Sequence, residues 1–300
     1  MTFSGPPIRL AGVGAVSWDL TPYRDARRRG AEGWPAQPAF TREVAQRLSD
    51  AVGAALAPRA PDEGQPLAVP PEGRVANDAT EIVTGTCYGM AHVAEVMHEQ
   101  LAEAGPRWLD PESFAYYSPH APTSLAAKTH GLSGAGSTLL GLDAGGQALA
   151  HALRRLSSGR TSRCLVTAYD AVTGFAAAAL AALGVAADDS TGEAVALLLD
   201  SGAEASGPTI RLARRLANLD AVRQFADATT RPLSRVQTAT EPDDDLLAAF
   251  GDVEVVATNA VTPVTAPLRA VAAAVGTAPS GAVLALSRSQ ASGWTAVLLA

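Results

Sequence analysis

Gly134-Ala135-Gly136-Ser137-Thr138-Leu139-Leu140-Gly141-Leu142-Asp143-Ala144-Gly145-Gly146 is the stretch whose reading decides the fold. Residues 137–142 form a short apolar run, and strong helix formers occupy 148–156, so the chain is expected to turn sharply from strand to helix. Gly141 and Gly145 flank Asp143, the arrangement in which a tight elbow projects its central side chain.

Working outward, 75–86 reads as a strand ending in Gly85-Thr86-Cys87-Tyr88-Gly89, and 90–104 as the helix that follows it. Residues 8–18 read as an opening strand, 40–56 as a helix, and the Pro-rich 58–71 as a loop. The Pro, Ser and Tyr of 108–122 suggest irregular chain before a short helix at 123–130 closed by Gly131. Downstream, 164–168 and 193–199 read as strands around an Ala-rich helix at 175–183. That alternation implies βαβ units and a sheet covered on both faces. Beyond 205 the pattern weakens: strands are expected at 210–216 and 253–257, helices at 221–228 and 267–275. Two closing strands, 282–286 and 295–299, suggest a hairpin-like finish across 287–294. The two halves could be remote copies of one βαβ design.

Composition narrows the function. The net charge of −7 argues against a nucleic-acid partner, which needs clustered cations, and the Arg24–Arg29 cluster reads as a solvated face. Two cysteines, Cys87 and Cys164, give no disulfide framework, and no Cys/His cluster has metal spacing, so neither a metal nor a cofactor is expected. No apolar run approaches the ~20 residues needed to span a bilayer, and the N-terminus does not read as a leader. A cytoplasmic protein without a membrane partner is the expectation.

Several motifs fall in register with one family. Gly85 to Gly89, then Gly105-Pro106, Asp110-Pro111-Glu112-Ser113-Phe114, the short helix from Ser124 to Lys128 and Gly134 to Thr138 resemble β-ketoacyl synthases of the thiolase superfamily in order and spacing. Downstream, 164–170, Gly174-Phe175, Gly192-Glu193-Ala194 and the closing Gly293-Trp294-Thr295 are similar to that family's later landmarks. The resemblance implies a thiolase-like fold of layered α/β type with mixed, largely parallel sheets, shortened in its C-terminal half. It also implies a ketosynthase-like N-terminal half over 1–204 and a reduced C-terminal half over 205–300, in one compact unit.

In that family the nucleophilic cysteine lies five residues past the threonine of the elbow run; counting from Thr138 gives Asp143. Condensation also needs two histidines, which stabilise developing oxyanions. His92, His98, His120, His130 and His151 are the only histidines, and none follows 151, whereas the family's pair lies in the C-terminal half. The matching regions are Thr238 to Glu241 and Thr262-Pro263, and Asn259 stands for the usual lysine.

The resemblance therefore implies a non-condensing subunit similar to chain length factors. Such a subunit would pair with a ketosynthase homologue, or with itself, in a type II polyketide, polyene or fatty-acid-like system that handles carrier-protein-bound acyl chains. The alternative is a repurposed enzyme for cyclisation, dehydration or decarboxylation, with Asp143 as acid or base.

Asp143 has two other readings. It could serve as a hydrolase nucleophile, but only His151 follows as a base, or as a dead nucleophile capping the helix N-terminus, the favoured reading. Cys87, His120, Thr262 and Trp294 are the pocket candidates; Cys87 also reads as a packed thiol, and His120 and His130 as surface or capping residues. Cys164 is read as core, and Glu95-x-x-His98 as a surface pair rather than half of a metal site. Gly134-Ala135-Gly136 is too short for a dinucleotide fingerprint.

Overall fold

The computed structural model describes residues 7–28, 36–57, 79–109, 111–185, 190–202, 205, 207–229, 231–275, 281–289 and 293–300. The expected loop at 58–71, residues 75–78 of the expected strand, and Asp110 lie outside the described residues.

The N-terminal elements are β1 (Arg9–Asp19), α1 (Thr21–Arg28), α2 (Ala36–Leu56), β2 (Glu81–Thr86), α3 (Ala91–Ala104), a 3-10 turn (Pro106–Trp108), α4 (Pro111–Tyr117), α5 (Ala121–Thr129), β3 (Gly136–Leu140), α6 (Ala144–Ser157), β4 (Arg163–Ala171), α7 (Gly174–Ala182) and β5 (Thr191–Asp200). β6 (Ile210–Leu216), α8 (Leu219–Asp227), β7 (Leu233–Thr238), α9 (Asp244–Phe250), β8 (Glu254–Ala257), α10 (Ala266–Val275), β9 (Ala282–Ser289) and β10 (Gly293–Leu299) follow.

The first five strands make one sheet in the order β1-β5-β4-β2-β3, and the last five make another in the order β6-β10-β9-β7-β8. Renumbered within each half, the two orders are the same. The hands of pairing also match: β1 is antiparallel to β5 and β5 to β4, while β2 is parallel to β4 and to β3. β6, β10, β9, β7 and β8 repeat that pattern. Each half is thus a mixed sheet built around parallel βαβ crossovers.

α6 and α10 lie at the centre. α6 buries Ala148, Leu149, Ala152, Leu153 and Leu156, an i, i+4 stripe, and each leucine removed from water contributes about 1.5–3 kcal/mol. One apolar cluster joins both helices to both sheets, running from Leu10, Val166 and Val195 to Leu268, Val283 and Val297.

Three elements depart from the sequence expectation. The 108–122 stretch is largely helical, because Pro106, Pro111 and Pro122 each sit in the first turn of a helical element, where a missing N–H costs nothing. β7 escaped notice because it is rich in polar residues. Gln237 is buried there and its amide nitrogen donates to the Val256 carbonyl and to Thr258 Oγ1, so its polarity is met inside the sheet. α9 was hidden in an acidic stretch that is its N-terminus: Asp243 caps it by accepting the Leu246 N–H. The arginine-rich segment near the start forms part of α1, whose first residue donates its N–H to Asp19 Oδ1.

Candidate functional site

The elbow forms as the sequence indicates. β3 ends at Leu140, Gly141 takes φ +129, a region L side chains rarely enter, and α6 starts at Ala144 with Asp143 in the N-cap position. Three glycines permit what packs around it. A Cβ on Gly85 would lie 2.5 Å from the Ala144 carbonyl, and one on Gly145 would lie 2.0 Å from the Val264 carbonyl. A Cβ on Gly146 would come within 2.9 Å of Asp143 Oδ1 and 3.6 Å of Thr295 Oγ1. The elbow of the first half is therefore pressed against the α10 entry loop and against β10 of the second.

Asp143 does not cap α6 through its side chain, contrary to the expectation. Arg214, on β6, donates from Nη2 to Asp143 Oδ2, and the two side chains are only 17% and 11% exposed. A charge-assisted bond to a fixed guanidinium outcompetes a single backbone N–H, while the carboxylate still lies at the positive end of the α6 dipole.

A second polar knot lies beside the elbow. Asp170, on β4, is fully buried, and its Oδ1 accepts from Thr86 Oγ1 at 3.1 Å, the Cys87 N–H at 3.1 Å and the Tyr88 N–H at 2.9 Å. Thr262 also hydrogen-bonds this carboxyl. Burial pushes Asp170 up to about 6, with these donors opposing the rise. The β4–β5 register sets Asp170 directly opposite Glu193, which is also buried and also raised by burial. Glu193 pairs with Arg269 at 3.4 Å and accepts the Val261 N–H at 3.4 Å. Two carboxyl groups of the first sheet thus hold the segment 261–265, where the family resemblance puts a catalytic histidine. Thr262 stands there instead, buried and bonded to Thr265.

The other expected site residues scatter. Cys87 is half-buried at the β2 turn, and burial together with the Asp170 charge pushes its thiol up to about 12, which disfavours the thiolate at neutral pH. His120 packs over β3, its Nδ1 2.6 Å from Thr138 Oγ1. His130 ties α5 to α2 through Ser49. Trp294 faces the outer core cluster of the second half, under the Arg288 guanidinium, so the strand's two-residue period turns its neighbour Thr295 toward the elbow. Glu95 is a helix cap rather than a free surface group, accepting from Thr173 Oγ1 and the Phe175 N–H, while His98 is exposed.

Arg214, Asp170 and Glu193 were missed as site residues. The last two carried a readable signal, a carboxylate abutting an apolar strand run, since such groups are seldom buried without partners. Arg214 carried none, because its partner lies 71 residues away.

Among the described residues, one cleft of about 890 Å3 lies between α1, α3 and α7 and another of about 370 Å3 lies beside Arg9, Arg231 and Ala300. Neither is lined by Asp143, Cys87, His120, Thr262 or Trp294. Among the described residues no group of three or more His, Cys, Asp or Glu could hold a metal ion, and no helix is long and apolar enough to cross a membrane.

No protein-family profile matches the sequence, and no curated protein sequence matches it. Solved structures do. A structure described as the ishigamide ketosynthase/chain length factor superposes with a TM-score of 0.62 at 15% identity, over 98% of this chain and 99% of the other. A type II polyketide acyl-carrier protein in complex with its ketosynthase bound to the hexaketide gives a TM-score of 0.67 at 15% identity, with 98% and 99% covered. A β-ketoacyl synthase from Burkholderia phymatum gives 0.66 at 13% identity, again over 98% and 99%. At such identities the likeness is one of fold: the chain has the thiolase-like fold of ketosynthases.

Proposed function

We propose that this chain is a non-condensing, ketosynthase-like subunit that pairs with an active ketosynthase in a type II polyketide, polyene or fatty-acid-like assembly system. The observation that carries this reading is the state of the elbow. The turn that would present a nucleophile is kept, but Asp143 occupies its apex and is engaged by Arg214. No histidine follows residue 151, so the two imidazoles that condensation requires cannot come from the second half. A reaction centre has become an interior contact between halves that divide near residue 205, the second of them shortened.

The partner surface fits the same reading. Among the described residues β3 is the outermost strand of its sheet, and Leu140 at its end is 59% exposed, so an open strand edge and an apolar residue lie together beside the elbow. A second ketosynthase-fold chain adding along this edge would cover both. Acyl carrier protein would then deliver its chain to the pair, in the cytoplasm. The rival enzymatic reading, with Asp143 as acid or base, has less support because that carboxylate is already committed to a guanidinium.

Co-expression with ketosynthases encoded in the same genome, followed by size-exclusion chromatography, tests the proposal. Stable co-elution as a heterodimer supports it; a monomer that never co-elutes with any of them ends it. Asp143→Asn leaves assembly intact on this reading, and would abolish turnover on the enzymatic one.

A further inference from the structure

The 890 Å3 cleft between α1, α3 and α7 lies at one defined edge of the first sheet. β1 is antiparallel to β5, and β5 to β4, so β1 runs with β4 and with β2. The segments leaving the carboxyl ends of these three strands carry Leu20 and Tyr23, Ala91 and Ala94, and Thr173 to Phe175, and these residues line the cleft. In α/β sheets the carboxyl edge of parallel strands is where ligands bind. The volume falls within the ~300–1,000 Å3 range of small-molecule sites.

Its chemistry is specific. Ala91 and Ala94, one helical turn apart on α3, keep the floor low, while the edge of the Tyr23 ring, which stacks on Phe40, and the exposed Phe175 ring supply apolar lining. Phe175 is 64% exposed, on a helix that has no polar side chain between Gly174 and Val185, which is surface that gains by being covered. The wall it stands on is pre-built. The Glu95 carboxylate accepts both the Thr173 hydroxyl and the Phe175 N–H, fastening the first turn of α7 to α3. Among the described residues, the charged groups lining the cleft are Glu95 and Glu99 on α3 and Arg24 on α1, with His98 between the two glutamates. Two carboxylates against one cation disfavour an anionic head group.

We propose that this cleft binds a medium-length acyl chain carried on an uncharged ester, thioester or amide head, with the chain lying over Ala91 and Ala94 between Tyr23 and Phe175. The choice of an acyl thioester as the natural ligand rests on the assembly-system function proposed above; the preference for a neutral, apolar-tailed ligand rests on the cleft alone. The site is separate from the elbow, so the chain would hold acyl groups without touching Asp143.

Isothermal titration of the full-length chain with the decanoyl thioester of N-acetylcysteamine tests this, with free decanoate as the charged comparison. One saturable site is expected for the thioester, and at least fivefold weaker binding of decanoate. Ala94→Leu, which raises the floor, should weaken the thioester at least tenfold. Phe175→Ser, at an exposed position that folding does not require, should weaken it several-fold without changing the melting temperature. Asp143→Asn should leave it unchanged. Absence of saturable binding, or binding indifferent to both Ala94→Leu and Phe175→Ser, overturns the proposal, and decanoate binding as tightly as the thioester overturns the neutral-head assignment. Co-elution with a ketosynthase is read separately, so loss of co-elution with thioester binding retained would sink the partner reading and leave the cleft standing.

Discussion

Arg214, on the first strand of the second sheet, holds Asp143, at the apex of the first half's elbow, in an ion pair whose side chains are 17% and 11% exposed. The pair is a contact between the two halves of the chain, and on the function proposed above it stands where a ketosynthase would keep a reactive group. Removing one partner leaves an unpaired charge in a poorly solvated place. Arg214→Met and Asp143→Asn are each expected to lower stability by about 2–4 kcal/mol, somewhat under the ~3–5 kcal/mol of fully buried pairs. The double variant Asp143→Asn with Arg214→Met should recover much of the loss, since no charge is then left to be desolvated without its partner. Urea unfolding of the three variants checks this; additive losses would show that the pair carries no coupling.

Stability should depend on pH through buried groups that pull in opposite directions. Asp170, raised by burial from 3.8 to about 6, binds its proton more readily in the native state than in the unfolded one. Its contribution therefore grows as pH falls through that window and is lost as pH rises above it. His92, pushed by burial from 6.5 down to about 3, does the reverse, since the unfolded chain is protonated first and stability falls on acidification. Glu193, also raised by burial, acts in the same direction as Asp170. Asp170→Asn removes one contributor to this balance, keeping an acceptor for the Cys87 and Tyr88 N–H groups. Relative to the parent, the variant should gain up to about 1.4 kcal/mol per pH unit as pH rises between about 4 and 6. Denaturant titrations at a series of pH values would show it, and a pH-independent difference would exclude it.

Gly145→Ala should be far more damaging than an ordinary glycine replacement in a helix. The added methyl meets the Val264 carbonyl oxygen at 2.0 Å, so either α6 or the α10 entry loop must move. A loss of at least ~3 kcal/mol is expected, at the upper end of overpacking penalties. Gly174→Ala is the control, because nothing lies within 4 Å of its Cβ position. Comparable melting temperatures for the two variants would refute the account.

Leu140→Glu places a charge on the exposed end of the edge strand. On the partner reading it should abolish or greatly weaken co-elution with a ketosynthase while shifting the melting temperature by less than about 2 °C, since a solvent-facing change alters stability by only a few tenths of a kcal/mol. Undiminished co-elution would mean that the partner does not use this edge.

The sequence by itself determined the local architecture of the first half. Apolar runs punctuated by Gly85, Gly141 and Gly145 specify strand, turn and helix through periodicity and backbone permissiveness, which are properties of neighbours along the chain. It also determined that no imidazole follows residue 151, which needs no coordinates. It left β7 and α9 unread, because Gln237 is a polar strand residue whose partners come from another segment and because the acidic run around Asp243 is a helix N-terminus without an apolar stripe of its own to announce it. Tertiary structure alone decided the rest: that Arg214 reaches Asp143 across 71 residues, that Asp170 stands opposite Glu193, that Thr295 rather than Trp294 faces the elbow, and that α1, α3 and α7 leave a cleft. The physical reason is the same for each. A charge, a hydroxyl or a gap acquires its role from groups brought beside it by strand pairing and helix packing, and one-dimensional periodicity says which face a residue takes but not what it meets there.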